Sequence, residues 1–283
     1  MANILYGTDV AKAINERSKE GINQCLDAGV HPTLAILRVG QREDDLAYER
    51  GIIKNCEKLN VKIKHVVLDE KVAVDEFYST LDSLNTDSAV HGILMFRPLP
   101  KYLDNEKARK MLNPAKDVDG CTDGSLAGVF TNTPIGFSPC TAQAAIEILD
   151  YYGIELKGKN VAVLGRSLVV GKPVSMLLLN RNATVTICHT KTVDTKSITK
   201  KADIIIACTG QMESLDASYF KEGQTIIDVG ISWNANKNKL CGDVLFESVE
   251  PIVENITPVP KGVGSVTTSI LLNHVVEACK RTL

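Results

Sequence analysis

The chain has 283 residues, 44% hydrophobic and 23% charged, which is length for two domains and apolar content for a substantial core, and so excludes intrinsic disorder. Its 32 basic and 34 acidic side chains give a formal charge of −2 without a long basic block, so no nucleic-acid partner is expected. Apolar runs such as "MLLL" and "DIIIAC" fall far short of the roughly 20 residues that cross a bilayer, so no membrane partner is expected either.

The N-terminal stretch "MANILYGTDVAKAINERSKEG" lacks the basic-then-apolar build of a secretory signal. The eight cysteines, Cys25, Cys56, Cys121, Cys140, Cys188, Cys208, Cys241 and Cys279, are scattered and form no CxxC. Free thiols in a reducing cytoplasm are the expectation. The histidines are dispersed, so no metal site is expected.

In chain order, "TLAILRVG" (33–40) reads as a strand and "DDLAYERGIIKNCEKLN" (44–60) as a helix on which Tyr48 and Ile52, four apart, share a face. "VKIKHVVLD" (61–69) is a second strand, followed by a helix through "VDEFYSTLDSLN". "VHGILMF" (90–96) is a third strand, ended by "RPLP". A helix over 138–156, with a proline near its start, joins this part to the next. The second part reads strand 159–165, helix 172–181, and strands 183–189, 202–210 and 224–231, before a closing helix over 265–281. Strands alternating with helices predict an α/β protein with parallel sheets. The expected division is an α/β domain over 1–145, completed by the C-terminal helix 265–283, and a Rossmann-like doubly wound domain over 146–264, with a cleft between them.

"VAVLGRSLVVGKPVSMLLL" (161–179) carries the clearest chemistry. A buried strand delivers Gly165 into a tight turn, Gly171 follows, and a helix opens at once. Bare glycine backbone lets a pyrophosphate approach, and the helix N-terminus offers N–H groups to its charge. Arg166 and Ser167 fill the turn, which departs from the ordinary GxGxxG. Further strands end in "CHT", "CTG" and "DVG", bringing Thr190 and Gly210 to the carboxyl edge where dinucleotides bind. The second strand of this part meets no acid until Asp194, and Arg166 and Lys191 suit a 2′-phosphate. NADP is therefore expected, with NAD the alternative.

"PAKDVDGCT" (114–122), "SPCTAQ" (138–143), "GRSLVVGKP" (165–173), "CHTKT" (188–192) and "ITPVPKGVG" (256–264) occur together and in order. On these motifs the chain resembles the methylenetetrahydrofolate dehydrogenase/methenyltetrahydrofolate cyclohydrolase family from about residue 33 to the final helix. The resemblance implies a tetrahydrofolate one-carbon substrate, a nicotinamide dinucleotide and a homodimer. It implies that Tyr48 stacks near the pterin and the one-carbon unit, that Asp119 hydrogen-bonds the pterin, and that these two position the reacting carbon. Pro260, Gly262 and Gly264 would shape the folate side, Arg166 and Ser167 would lie beside the cofactor phosphates and ribose, and Ile231 near the nicotinamide.

The departures point further. Where bifunctional members place a lysine four residues after the tyrosine, this chain has Ile52; Asp45 and Phe96 stand for the usual serine and glutamine. Lys54 lies about 200° round the helix from Ile52 and cannot replace it. Hydride transfer needs alignment and no protein base, whereas hydrolysis needs proton transfer. The expectation is thus a divergent member lacking the cyclohydrolase lysine, a dehydrogenase with little or no cyclohydrolase activity. The alternatives are the full bifunctional enzyme using another proton-transfer group, and a non-catalytic folate- or nucleotide-binding regulator.

Overall fold

The computed structural model describes residues 1–283. The chain divides into two compact units, one formed by Met1–Lys12 with Thr141–Thr267 and the other by Ala13–Cys140 with Thr268–Leu283. Its first half runs β1 (Asn3–Ile4), α1 (Gly7–Asp27), β2 (Thr33–Val39), α2 (Glu43–Leu59), β3 (Lys62–Leu68), α3 (Val74–Thr86), β4 (Gly92–Met95), α4 (Asn105–Met111), α5 (Asp123–Thr131) and α6 (Cys140–Tyr151). The second half runs β5 (Asn160–Leu164), α7 (Gly171–Asn180), β6 (Thr184–Cys188), α8 (Thr195–Lys201), β7 (Ile204–Ala207) and β8 (Thr225–Asp228). It closes with β9 (Ser232–Asn234), β10 (Lys239–Cys241), α9 (Phe246–Val249), β11 (Asn255–Ile256) and α10 (Thr267–Lys280). No helix is long and apolar enough to cross a membrane.

In the unit built on Ala13–Cys140, β2 is apolar but for Thr33 and Arg38 and is buried from Leu34 to Val39, as a central parallel strand must be. It pairs in parallel with both neighbours, giving the order β3-β2-β4, with Leu34 opposite Ile63 and Gly92. Beneath this sheet lie Leu37, Phe77, Leu81, Ile93 and Leu112. A Cβ at Gly92 would sit 2.7 Å from Val118 and 3.0 Å from Val275, so only glycine lets α10 close over β4.

Helix α2 sets Glu43, Asp44 and Asp45 in its first turn, where acids offset the positive end of the helix dipole. It ends at Asn60 in the left-handed region, whose N–H bonds the Cys56 and Glu57 carbonyls. A buried ion pair fastens α2 to the sheet. Arg38 on β2 donates through Nε to Glu49 Oε2 at 2.5 Å and also to the Gly40 carbonyl, and His65 on β3 contacts the other Glu49 oxygen.

The other unit is a parallel six-stranded sheet in the order β1-β11-β8-β7-β5-β6. Its core gathers Leu164, Ile205, Ile226, Val249 and Ile256. Asn3 faces Asn255 and Ile4 faces Ile256, so the first residues join this sheet rather than the domain over 1–145 in which they were expected. A two-residue strand has no local signature, and its partner lies about 250 positions away. The β9–β10 hairpin is antiparallel and separate, with Ser232 opposite Cys241.

Removing Glu49 would strand a buried guanidinium. Glu49→Ala is expected to destabilise the protein by about 3–5 kcal/mol in urea unfolding, with Arg38→Met/Glu49→Leu recovering much of the loss. Equal losses in the single and double variants would refute this role for the pair.

Candidate active site

Tyr48 and Ile52 share a helical face only in projection. Tyr48 is 40% exposed, whereas Ile52 is fully buried and belongs to the core. The Tyr48 ring meets Phe96 edge-on, with centroids 5.9 Å apart, so Phe96 forms an apolar wall beside it. The Thr268 side chain lies by the Tyr48 hydroxyl and eases its pKa downward. Desolvation of that hydroxyl, then the charge of Asp119, holds the phenol well above its ordinary value, so it stays protonated.

Asp119 faces the same ring. Burial of its carboxyl, then the neighbouring Asp117, pushes its pKa up to about 6, against the pull of Arg97 and Cys140. Arg97 Nη2 lies 4.0 Å from Asp119 Oδ2. Cys140 is a weak contributor, since burial raises its thiol well above the ordinary range. Asp117 holds the loop in place. Its carboxylate accepts from Cys121 N at 3.0 Å, Thr122 N at 2.7 Å and Ser125 Oγ at 2.6 Å. Gly120 has φ +74°, and a side chain there would run into the backbone of Ser138 and Pro139. The sequence reading missed Arg97 and Asp117, although the doubled aspartate of "KDVDG" was a signal for the latter.

In the unit with the six-stranded sheet, a cavity of about 400 Å³ opens at the carboxyl edge. Gly165, Arg166, Ser167 and Thr190 line it, with Cys208 and Thr209 from the loop after β7. Gly165 has φ +133°, and a Cβ there would collide with the Cys208 carbonyl; one at Gly171 would collide with the Gly165 carbonyl. The turn is therefore bare backbone, and α7 starts directly against it with its positive end. This cradle fits a pyrophosphate.

Gly171, Gly210 and Ile231 do not line the cavity. Gly171 packs beneath the turn, Gly210 is the exposed continuation of the Thr209 loop, and Ile231 is exposed after β8. Asp194, the acid nearest the end of β6, is committed to capping α8 through Ser197 N. Pro260, Gly262 and Gly264 lie between β11 and α10, where Gly7 N donates to the Lys261 carbonyl at 2.8 Å. A side chain at Gly262 would meet the Pro258 carbonyl.

A parallel sheet with a glycine turn at its carboxyl edge defines a dinucleotide-binding oxidoreductase domain, here joined to a second α/β unit. The chain belongs to the tetrahydrofolate dehydrogenase/cyclohydrolase family: the family's catalytic domain matches residues 5–119 and its NAD(P)-binding domain matches residues 139–283. It is an NAD(P)-dependent enzyme of that family. Among its relatives, the bifunctional protein FolD of Clostridium botulinum (strain Langeland) is 50% identical over 281 residues, 99% of each chain. The bifunctional FolD methylenetetrahydrofolate dehydrogenase/cyclohydrolase of Campylobacter jejuni superposes with a TM-score of 0.95 at 34% identity, covering 100% of both chains. The Trypanosoma brucei methylenetetrahydrofolate dehydrogenase-cyclohydrolase, solved with NADP, gives 0.90 at 32% identity, covering 99% of this chain and 98% of that one.

These relatives correct the expectation of a divergent, cyclohydrolase-deficient member. Half the residues are shared, over essentially full length, with a protein named as bifunctional. The physical reason lies at Ile52. That expectation read an exposed face stripped of its only proton carrier, yet Ile52 is core, while the exposed face of Tyr48 retains an ionisable carboxyl at Asp119.

The Asp119 carboxyl is expected to titrate near 6 in carboxyl-labelled NMR, and Arg97→Ala to move it upward, because the cation 4.0 Å away is lost. An unchanged midpoint in that variant would remove Arg97 from the site's electrostatics.

Proposed function

We propose that the protein oxidises 5,10-methylenetetrahydrofolate to 5,10-methenyltetrahydrofolate with NADP, and hydrolyses that product to 10-formyltetrahydrofolate. Near-50% identity along the whole chain to bifunctional relatives carries this reading. The folate role falls to the unit of Tyr48 and Asp119, and the dinucleotide role to the unit of Gly165 and Arg166.

NADP, when bound, accepts a hydride at its nicotinamide. The folate nitrogen lone pair stabilises the cation left behind, so the protein's task is alignment. Tyr48 offers a ring face to the pterin, with Phe96 limiting its tilt, and Asp119 offers a hydrogen-bond acceptor. A misplacement of about 1 Å would cost roughly 100-fold.

Hydrolysis needs a proton carrier. Water adds to the methenyl carbon and gives up a proton to the Asp119 carboxylate. The same proton passes to N5 as the carbon–N5 bond breaks with its electron pair going to nitrogen. The hydroxyl proton leaves to solvent, and the formyl group stays on N10. A carboxyl near 6 suits both halves of this relay at neutral pH. Ile52 takes no part.

NADP is preferred over NAD in this reading because Asp194 is occupied as a helix cap and Arg166 lines the cavity. The edge strand β6 exposes Thr184, Thr186 and Ile187, and α7 exposes Leu179, an apolar border that supports pairing with a second copy. All eight cysteines are free, which suits the cytoplasm.

On preformed methenyltetrahydrofolate, hydrolysis above the buffer rate is expected to rise as pH increases through about 6 and then level, because Asp119 must be ionised to take the proton. Asp119→Asn should lower it by about 100-fold or more and abolish the inflection. Hydrolysis at the buffer rate at every pH would sink the bifunctional reading. Arg166→Ala is expected to raise the NADP KM by about tenfold while moving the NAD KM little, as loss of a phosphate partner should; equal changes would defeat the NADP assignment.

A further inference from the structure

Behind the cavity, and outside its lining, sit two buried carboxylates. Asp228 ends β8 and Asp243 follows β10, with exposures of 4% and 1%. Asp228 Oδ1 accepts from Gly230 N at 3.0 Å and Asp243 N at 3.1 Å, and its Oδ2 accepts from Val244 N at 2.9 Å. Asp243 is thereby fixed in backbone. Its own Oδ2 then accepts from Thr209 N at 2.5 Å and Gly210 N at 3.0 Å. The pair thus ties together the loops that follow β7 and β8.

The surroundings are built around these carboxylates. A side chain at Gly230 would collide with Asp243 Oδ1, and one at Gly242 with Asp228 Oδ2. The groups facing the pair are the Cys208 thiol and backbone amides, and the hydrogen bonds of both carboxylates come from backbone N–H groups alone. Burial, eased by these N–H donors and reinforced by the charge of Asp243, leaves Asp228 at about 7. A core-packing role has no use for two adjacent carboxylates; holding loop amides at set positions does. Asp243 Oδ1 has no hydrogen-bond partner, so the side-chain hydrogen bonds of that residue run through Oδ2 to the Thr209 loop.

We infer that Asp243, held by Asp228, is a positioning residue for the dinucleotide: it fixes the Thr209–Gly210 backbone at the wall of the cofactor cavity. The inference rests on the cavity assignment made above. Because only one carboxylate oxygen is engaged, an amide oxygen suffices, and an apolar isostere does not.

The test compares Asp243→Leu with Asp243→Asn in the full-length enzyme, using the dehydrogenase assay. Asp243→Leu is expected to raise the NADP KM by about tenfold or more with the folate KM within about twofold, since two N–H groups lose their acceptor. Asp243→Asn should restore the NADP KM to within about threefold of the parent. Should the leucine variant fail to fold, the asparagine variant decides by itself, through that KM and retained hydrogen-exchange protection of the Thr209 and Gly210 amides. A parallel rise in both KM values, an unmoved NADP KM in the leucine variant, or an asparagine variant no better than leucine would overturn the proposal. A wrong cavity assignment would register separately, as Arg166→Ala leaving the NADP KM unmoved.

Discussion

A loop N–H withdrawn from water must find an acceptor, and here buried aspartates supply it. Asp117 takes two amides and a hydroxyl, Asp228 takes three amides, and Asp243 takes two. Regular pairing ends where a strand or helix ends, and the loop continues beyond it, so side chains have to finish the hydrogen bonding. The loops that carry Asp119 and Thr209 are held by these bonds. A buried anion costs less when several N–H dipoles converge on it, and both sites use that arrangement in place of a cation.

The same aspartates set the electrostatics. Asp117 adds its charge to the burial of Asp119 and lifts that carboxyl towards neutrality, and Asp243 does likewise to Asp228. A group recruited to hold a loop thus tunes the group that the loop presents. Glycines complete the arrangement where carboxylates or carbonyls leave no space, as at Gly120, Gly165, Gly230 and Gly242. Substituting any of these would disturb the acceptor and the loop together.

Much of the fold was legible in the chain, because long strands and helices announce themselves by period. The stretches expected as β2, α2, β3, α7 and β6 lie within a residue or two of the observed elements. What escaped was mostly short or nonlocal, namely β1 and β11 at two residues each, the β9–β10 hairpin and the helices α4, α5, α8 and α9; the longer α1 escaped because its polar sequence "NERSKEGINQ" masks its apolar stripe at Val10, Ile14 and Ile22. The glycine turn at Gly165 was readable because its spacing is local. The hold of Asp243 on Thr209 was not, since 34 positions and three strands separate them.

Position 52 shows where the boundary lies. Sequence alone determined that Tyr48 and Ile52 share a helical face, that no lysine stands at that spacing, and that a glycine turn precedes α7. Only the tertiary structure decided that Tyr48 opens to solvent while Ile52 is sealed in the core, and that Asp119 and Arg97 come to the tyrosine from other segments. Helical period fixes the direction of a side chain relative to its own axis. What it points at, and therefore whether it can exchange a proton, depends on chain that arrives from elsewhere.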